Sequence, residues 1–217
     1  MNLNKNIKIG IVSIVHGDEV IGKNVCNALK KKYYEVEFIE ANKEAFRQNK
    51  RYVDVDLNRC FPGKKEGNHE EKIAYQLCQD LKKFDLIIDI HSTKAKTEPF
   101  AILTNLNFDL MQVIKNSILE KVCIMCNEVA SGKALIDFCD GFSVEVNENM
   151  SVEECTDIIE SIINQTGKKN LEVFQVFEVV KEKMSNLKNF ELHESGFYPV
   201  LYGEPDYDFE CLASRKL

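Results

Sequence analysis

No stretch of the 217 residues approaches the ~20 consecutive apolar residues of a membrane-spanning helix, so no span is expected. The opening "MNLNKNIKIG" lacks an apolar run of secretory-leader length, so no signal peptide is expected. Positive charge is in short supply too. The 28 Lys and Arg face 35 Asp and Glu, a net charge of −7, whereas a general nucleic-acid binder needs a basic face. Eight cysteines (26, 60, 78, 123, 126, 139, 155 and 211) are too sparse and scattered for a disulfide framework. Several fall inside apolar patterns, as reduced core thiols do, and the expectation is a cytoplasmic protein. The Cys123-x-x-Cys126 pair has no second pair of matching spacing, so inward-facing strand thiols are expected rather than a structural zinc or redox site. No internal repeat or low-complexity tract is visible.

What is present is an ordinary globular composition, 44% hydrophobic and 29% charged, in a chain long enough to bury a core. "IKIGIVSIV" at 7–15 is a near-continuous apolar run, as in a strand covered on both faces. Residues 19–32 carry apolar positions at helical spacing, and "EVEFIEA" follows as a strand. Residues 43–67 are polar and irregular, and Asn68 with Glu71 predicts a capping box for a helix over 69–83. "FDLIIDI" predicts a strand that stops at His91, "PFAILT" and "KVCIMC" two more around a helix over 108–119, and "GFSVEV" another. Ser151 with Glu154 caps a helix to about 164. Strand alternating with helix implies an α/β layered sheet. Beyond Gly167 the texture turns β-rich in "LEVFQVFEVV", "KNFELHE" and "YPVLYG". The expected division is a hydrolase body over 1–165 and a small β-rich segment over 166–217.

Ligands gather at the carboxyl ends of strands in open α/β sheets. His16 ends the first strand, Glu19 follows three residues on, and His91 ends "DLIIDI". Two imidazoles and a carboxylate with an open fourth position make a catalytic zinc set. The plainer alternatives stay open: Glu19 as a first-turn acid favouring the helix dipole, His91 as a polar residue closing a strand. His69 and His193 fit only the plain reading, as a first-turn helix residue and a strand-surface residue. In "RYVDVDLNRCFPG", Arg51 and Arg59 bracket alternating apolar and polar residues that run into loop material. A surface strand would explain the alternation. Near a metal, one arginine could polarise a carbonyl and the other clamp a carboxylate, with Asn58 alongside. Glu145 interrupts an apolar strand, where a lone carboxylate is costly unless paired or functional. It is either the solvent face of an edge strand or a general base.

Four separated motifs, H-G-D-E at 16–19, D-L-N-R at 56–59, "DIHST" at 89–93 and "VEV" at 144–146, occur in one order. Together they resemble the aspartoacylase/succinylglutamate desuccinylase family. The resemblance implies a mixed, mostly parallel central sheet with helices on both faces, of the zinc carboxypeptidase-like kind. It implies one Zn2+ per chain held by His16, Glu19 and His91, and a general base at Glu145. It also implies a carbonyl-polarising Arg51, substrate-carboxylate contacts at Asn58 and Arg59, and a substrate-binding Tyr207 from the C-terminal segment. The implied activity is hydrolysis of the amide of a small, anionic N-acyl amino acid, with no nucleic-acid or membrane partner; a homo-oligomer stays open. Two departures stand out. Where aspartoacylase-like members carry an arginine about ten residues before the glutamate, this chain has Leu135, with Lys133 the nearby substitute. The chain is also short, with a trimmed loop between Arg59 and His91. Rival readings are a zinc carboxypeptidase acting on peptides and a non-catalytic metal-binding regulatory domain.

Overall fold

The computed structural model describes residues 7–125, 132–167 and 170–217. Nine strands form one sheet: β1 (Ile9–Ser13), β2 (Glu37–Glu40), β3 (Leu86–Thr93), β4 (Phe100–Leu103), β5 (Lys121–Ile124), β6 (Gly141–Asn147), β7 (Glu172–Val180), β8 (Tyr198–Val200) and β9 (Cys211–Lys216). Their order across the sheet is β2-β1-β3-β6-β4-β5-β7-β9-β8. The left part, β2-β1-β3-β6, is parallel; β4 runs antiparallel to β6, and β9 is antiparallel to both β7 and β8. The expected mixed, mostly parallel α/β sheet is what the chain forms. The residues beyond 166 continue it, because β7 lies parallel beside β5.

Five helices accompany the strands: α1 (Val20–Leu29), α2 (Lys43–Arg47), α3 (His69–Asp80), α4 (Phe108–Lys115) and α5 (Val152–Asn164). Both expected capping boxes form. Asn68 Oδ1 accepts from Glu71 N at 2.9 Å while Glu71 Oε2 accepts from Asn68 N at 3.0 Å. Ser151 and Glu154 do the same for α5. One sheet face packs on α1, α4 and α5 through Val25, Leu29, Val113, Ile114, Ile158 and Ile162. The other is covered by α3 through Ala74, Leu77 and Cys78. No helix among the described residues is long and apolar enough to cross a membrane.

Four local expectations change. The strand carrying His91 does not stop there but runs on to Thr93, because its pairing with β6 extends from Ile87–Gly141 to Thr93–Asn147. "KNFELHE" is a run of turns with Phe190 at φ 63°, not a strand. His193 is buried within it rather than on a strand surface, and Ser195 N donates to its Nδ1 at 3.2 Å. Finally, β9 and the five-residue α2 fall where the pattern gave no element. Cys126 lies outside the described residues, and Cys123 is buried in β5.

Candidate active site

Period-two alternation decides what faces what on β3 and β6. Leu86, Ile88 and Ile90, with Phe142, Val144 and Val146, enter the core under α1, α4 and α5. The intervening residues Asp89, His91 and Thr93, with Ser143 and Glu145, therefore share the opposite face. The parallel register puts His91 directly beside Glu145 and Asp89 beside Ser143. Since β6 lies between β3 and β4, Glu145 is on an interior strand, which removes the edge-strand alternative.

A second group arrives from the turn after β1. Ile14 closes β1 in the left-handed region at φ 51°, a conformation a β-branched residue seldom adopts unless its surroundings enforce it. Here Ile14 is fully buried, and its carbonyl accepts from Asn42 N at 2.9 Å. The turn carries His16 over the sheet. Gly17 follows against α2, where a Cβ would overlap the backbone of Ala45 and Phe46, and its N–H donates to Arg51 O at 3.0 Å. Glu19 sits at the N-cap of α1 but makes no side-chain cap bond. Its carboxylate turns instead to the imidazoles, with Oε1 2.6 Å from His16 Nδ1 and Oε2 3.0 Å from His91 Nδ1.

Each imidazole meets a further carboxylate at its other nitrogen. His16 Nε2 is 3.0 Å from Asp56 Oδ1, and His91 Nε2 is 2.7 Å from Asp89 Oδ2. Burial would lower both imidazoles, but the acids around them win and hold both above the ordinary histidine value, His91 well above. Burial works against the Glu19 carboxylate as well, and the two imidazoles overcome it, holding the acid far below its usual range. One ligand atom from each of His16, Glu19 and His91 lies within 4.8 Å of the others, and all three residues are buried. The donor chemistry fits a divalent cation. Two imidazoles presented to one acid, each with its far nitrogen fixed by an aspartate, form the arrangement that orients histidine ligands toward a metal. Glu19, Asp56 and Asp89 around the two rings draw positive charge to them, and a divalent cation would supply it in place of the ring protons.

Glu145 completes this face. Burial pushes its carboxyl up to about 7, the imidazolium of His91 only partly offsetting it. Arg51 donates to Asp56 Oδ2 from Nε at 3.3 Å and Nη2 at 3.2 Å, and Asp206 lies 3.8 Å from its Nη1. Its guanidinium stands over the Tyr207 ring at 5.4 Å. Asn58 commits its Oδ1 to Leu135 N at 2.8 Å, and Arg59 is exposed, its charge felt by Asp56 and its Nη1 donating to Asn58 O at 2.9 Å. His16, His91, Glu145, Asn58, Arg59 and Tyr207 all line one cavity of about 90 Å³. Lys133 does not line it; this exposed residue lies in a neighbouring groove that shares Arg59.

Sequence reasoning passed over four residues that hold this arrangement. Asp56 and Asp89 fix the imidazoles, and Asp89 was signalled by its place two residues before His91 on the same strand face. Glu70, fully buried in the first turn of α3, accepts from the N–H groups of Val53, Asp54 and Val55 at 2.7, 3.0 and 3.2 Å, pinning the loop between Arg51 and Asp56. Glu204 accepts from Thr93 Oγ1 at 2.5 Å and Lys94 N at 2.8 Å, tying the segment that carries Tyr207 to the end of β3. None of these two glutamates stands in a pattern that spacing alone could reveal.

Residues 6–156 match the model of the succinylglutamate desuccinylase/aspartoacylase catalytic domain. A probable aspartoacylase of Trichodesmium erythraeum is 30% identical over 161 residues, covering 64% of this chain and 55% of the relative. One of Nostoc sp. is 31% identical over 120 residues, 48% of this chain and 41% of the relative. The chain thus spans about half the length of the curated relatives it matches. Among solved structures, murine aminoacylase 3 shares the fold at a TM-score of 0.77 and 16% identity, covering 97% of this chain and 95% of that one. The succinylglutamate desuccinylase of Chromobacterium violaceum does so at 0.70 and 16%, covering 100% and 87%.

Proposed function

Because the chain belongs to the succinylglutamate desuccinylase/aspartoacylase family, we propose that it is a zinc-dependent deacylase that hydrolyses the amide bond of a small N-acyl amino acid. The observation that carries the reading is the register that sets Glu145 beside His91, on the same sheet face as Asp89. His16, Glu19 and His91 would hold the ion. Zinc supplies polarisation of a carbonyl and acidification of a water at neutral pH.

The chain's own groups do the rest. Glu145, titrating near 7 in the metal-free protein, is matched to taking a proton from the attacking water and returning it to the leaving nitrogen. Arg51, anchored by Asp56 and braced against Tyr207, is the donor for the developing oxyanion. Arg59, exposed and lining the cavity, takes a substrate carboxylate, with Asn58 shaping the wall beside it. Residues 1–165 form the hydrolase body, and 166–217 close the site by bringing Tyr207 over Arg51. The seven cysteines among the described residues are free thiols, which supports a reducing, cytoplasmic setting.

The test begins with metal analysis of the purified protein, followed by assay of a broad set of N-acyl amino acids. Metal-dependent release of the free amino acid is expected. A protein that binds zinc and leaves every such amide intact would be a binding domain, and cleavage confined to C-terminal peptide bonds would make it a carboxypeptidase.

A further inference from the structure

The cavity that holds Glu145 is walled largely by hydrocarbon. Ile102 of β4, Met125 past β5, Ile136, Leu201, Phe209 and Leu212 of β9 line it. Against these, Arg59 is the one lysine or arginine among the described residues that lines it. The two imidazoles are turned to Glu19, and Arg51 is already held by Asp56 and Asp206. Leu135, at the place where the family resemblance suggests an arginine, is fully buried in the core beside Leu57 and Phe61. Its neighbour Ile136 is what reaches the cavity wall, and Lys133 lies outside in the groove. Residues 126–131, which follow Met125 in the chain, contain no lysine, arginine or histidine.

Charge balance then limits the substrate. One carboxylate can be met by Arg59. A second, inside the cavity, would find no further Lys or Arg, only the neutral polar groups of Asn58, Thr104, Ser143 and Tyr207 among apolar walls beside the Glu145 carboxyl, and a buried charge without a counter-charge is strongly disfavoured. Resting on the deacylase reading above, we propose that the substrate is an N-acyl amino acid with a single carboxylate, whose acyl group or side chain is short, uncharged and apolar and fills this cavity. The small cavity volume, about 90 Å³, favours a short group.

Two substrate series separate the sources of the apolar group. On the zinc-loaded wild type, one varies the acyl part on alanine (acetyl, butyryl, succinyl); the other varies the amino acid under acetyl (leucine, aspartate, glutamate). The neutral member should exceed its dicarboxylate counterpart by about 100-fold or more in kcat/KM in at least one series, and the series that responds identifies the occupant. The same compounds are titrated calorimetrically into zinc-loaded Glu145→Gln, which reads binding without turnover. Ile136→Arg, if it folds with an unchanged melting temperature, should narrow the preference at least about tenfold; if it does not fold, the wild-type ratios decide. Dicarboxylates turned over or bound as well as neutral compounds would overturn the proposal while leaving the deacylase standing. Neutral compounds bound tightly but never cleaved would support the cavity and sink the deacylase. Nothing bound and nothing cleaved would remove both.

Discussion

Strands β3 and β6 present one face to α1, α4 and α5 and the other to the candidate site, and alternate residues of the same strands build each. On the helix-covered face Leu86, Ile88, Ile90, Phe142, Val144 and Val146 are interchangeable in kind: apolar, buried, close-packed. On the site face Asp89, His91, Ser143 and Glu145 are equally buried yet polar, and each is tolerated for a specific reason. Asp89 has His91 and Ser143, His91 has two acids, and Glu145 stays near neutrality because burial raises it. One face is thus held by volume, the other by particular atoms. Stability and chemistry should respond separately to changes on the two.

The widest separation is expected from Glu145→Gln. It should keep the metal and the fold while turnover drops by about 10²–10⁴; a variant that still turns over would show the base lies elsewhere. Ile88→Ala, one residue from Asp89 but on the other face, should lose about 2–5 kcal/mol in denaturant unfolding with zinc affinity unchanged. A shift in zinc affinity there would break the independence of the faces.

The metal-free protein offers a pH test. The Glu145 carboxyl has a folded value of about 7 against an ordinary 4.5, so the native state holds a proton that the unfolded chain releases. Unfolding free energy should therefore fall as pH rises from about 4.5 to about 7, by up to about 3 kcal/mol from this group. Glu145→Gln should remove that decline and be the more stable protein at pH 8. Chemical denaturation of both at pH 5 and pH 8 checks it, and parallel profiles would deny the buried charge its cost. The smallest of the four effects belongs to Asp89→Asn, which should weaken zinc binding by about 10–100-fold in a competition assay. An unaltered affinity would mean that His91 is oriented by packing alone.

Much of this was written in the strands themselves. "IDIH" and "SVEVN" place polar residues at every second position of otherwise apolar runs, and that alternation is enough to assign a core face and a polar face. The capping boxes at Asn68 and Ser151 were legible because they are local, three residues wide. The pairing of His91 with Glu145 was not, since it rests on a parallel register between strands separated by β4, α4 and β5. Nor were the grips of Glu70 on residues 53–55 and of Glu204 on residues 93–94, which lie 15–17 and 110–111 residues away. The 188–194 run misled because its hydrophobic residues serve turns: Phe190 packs on Phe100 and Phe174 from a left-handed position.

Glu204 is a clasp between two distant parts of the chain. One carboxylate grips Thr93 Oγ1 and Lys94 N at the end of β3 and so holds the segment that lays Tyr207 against Arg51. Neutralising that single group should loosen one wall of the chamber while His16, Glu19 and His91 stay where the turn after β1 and strand β3 put them.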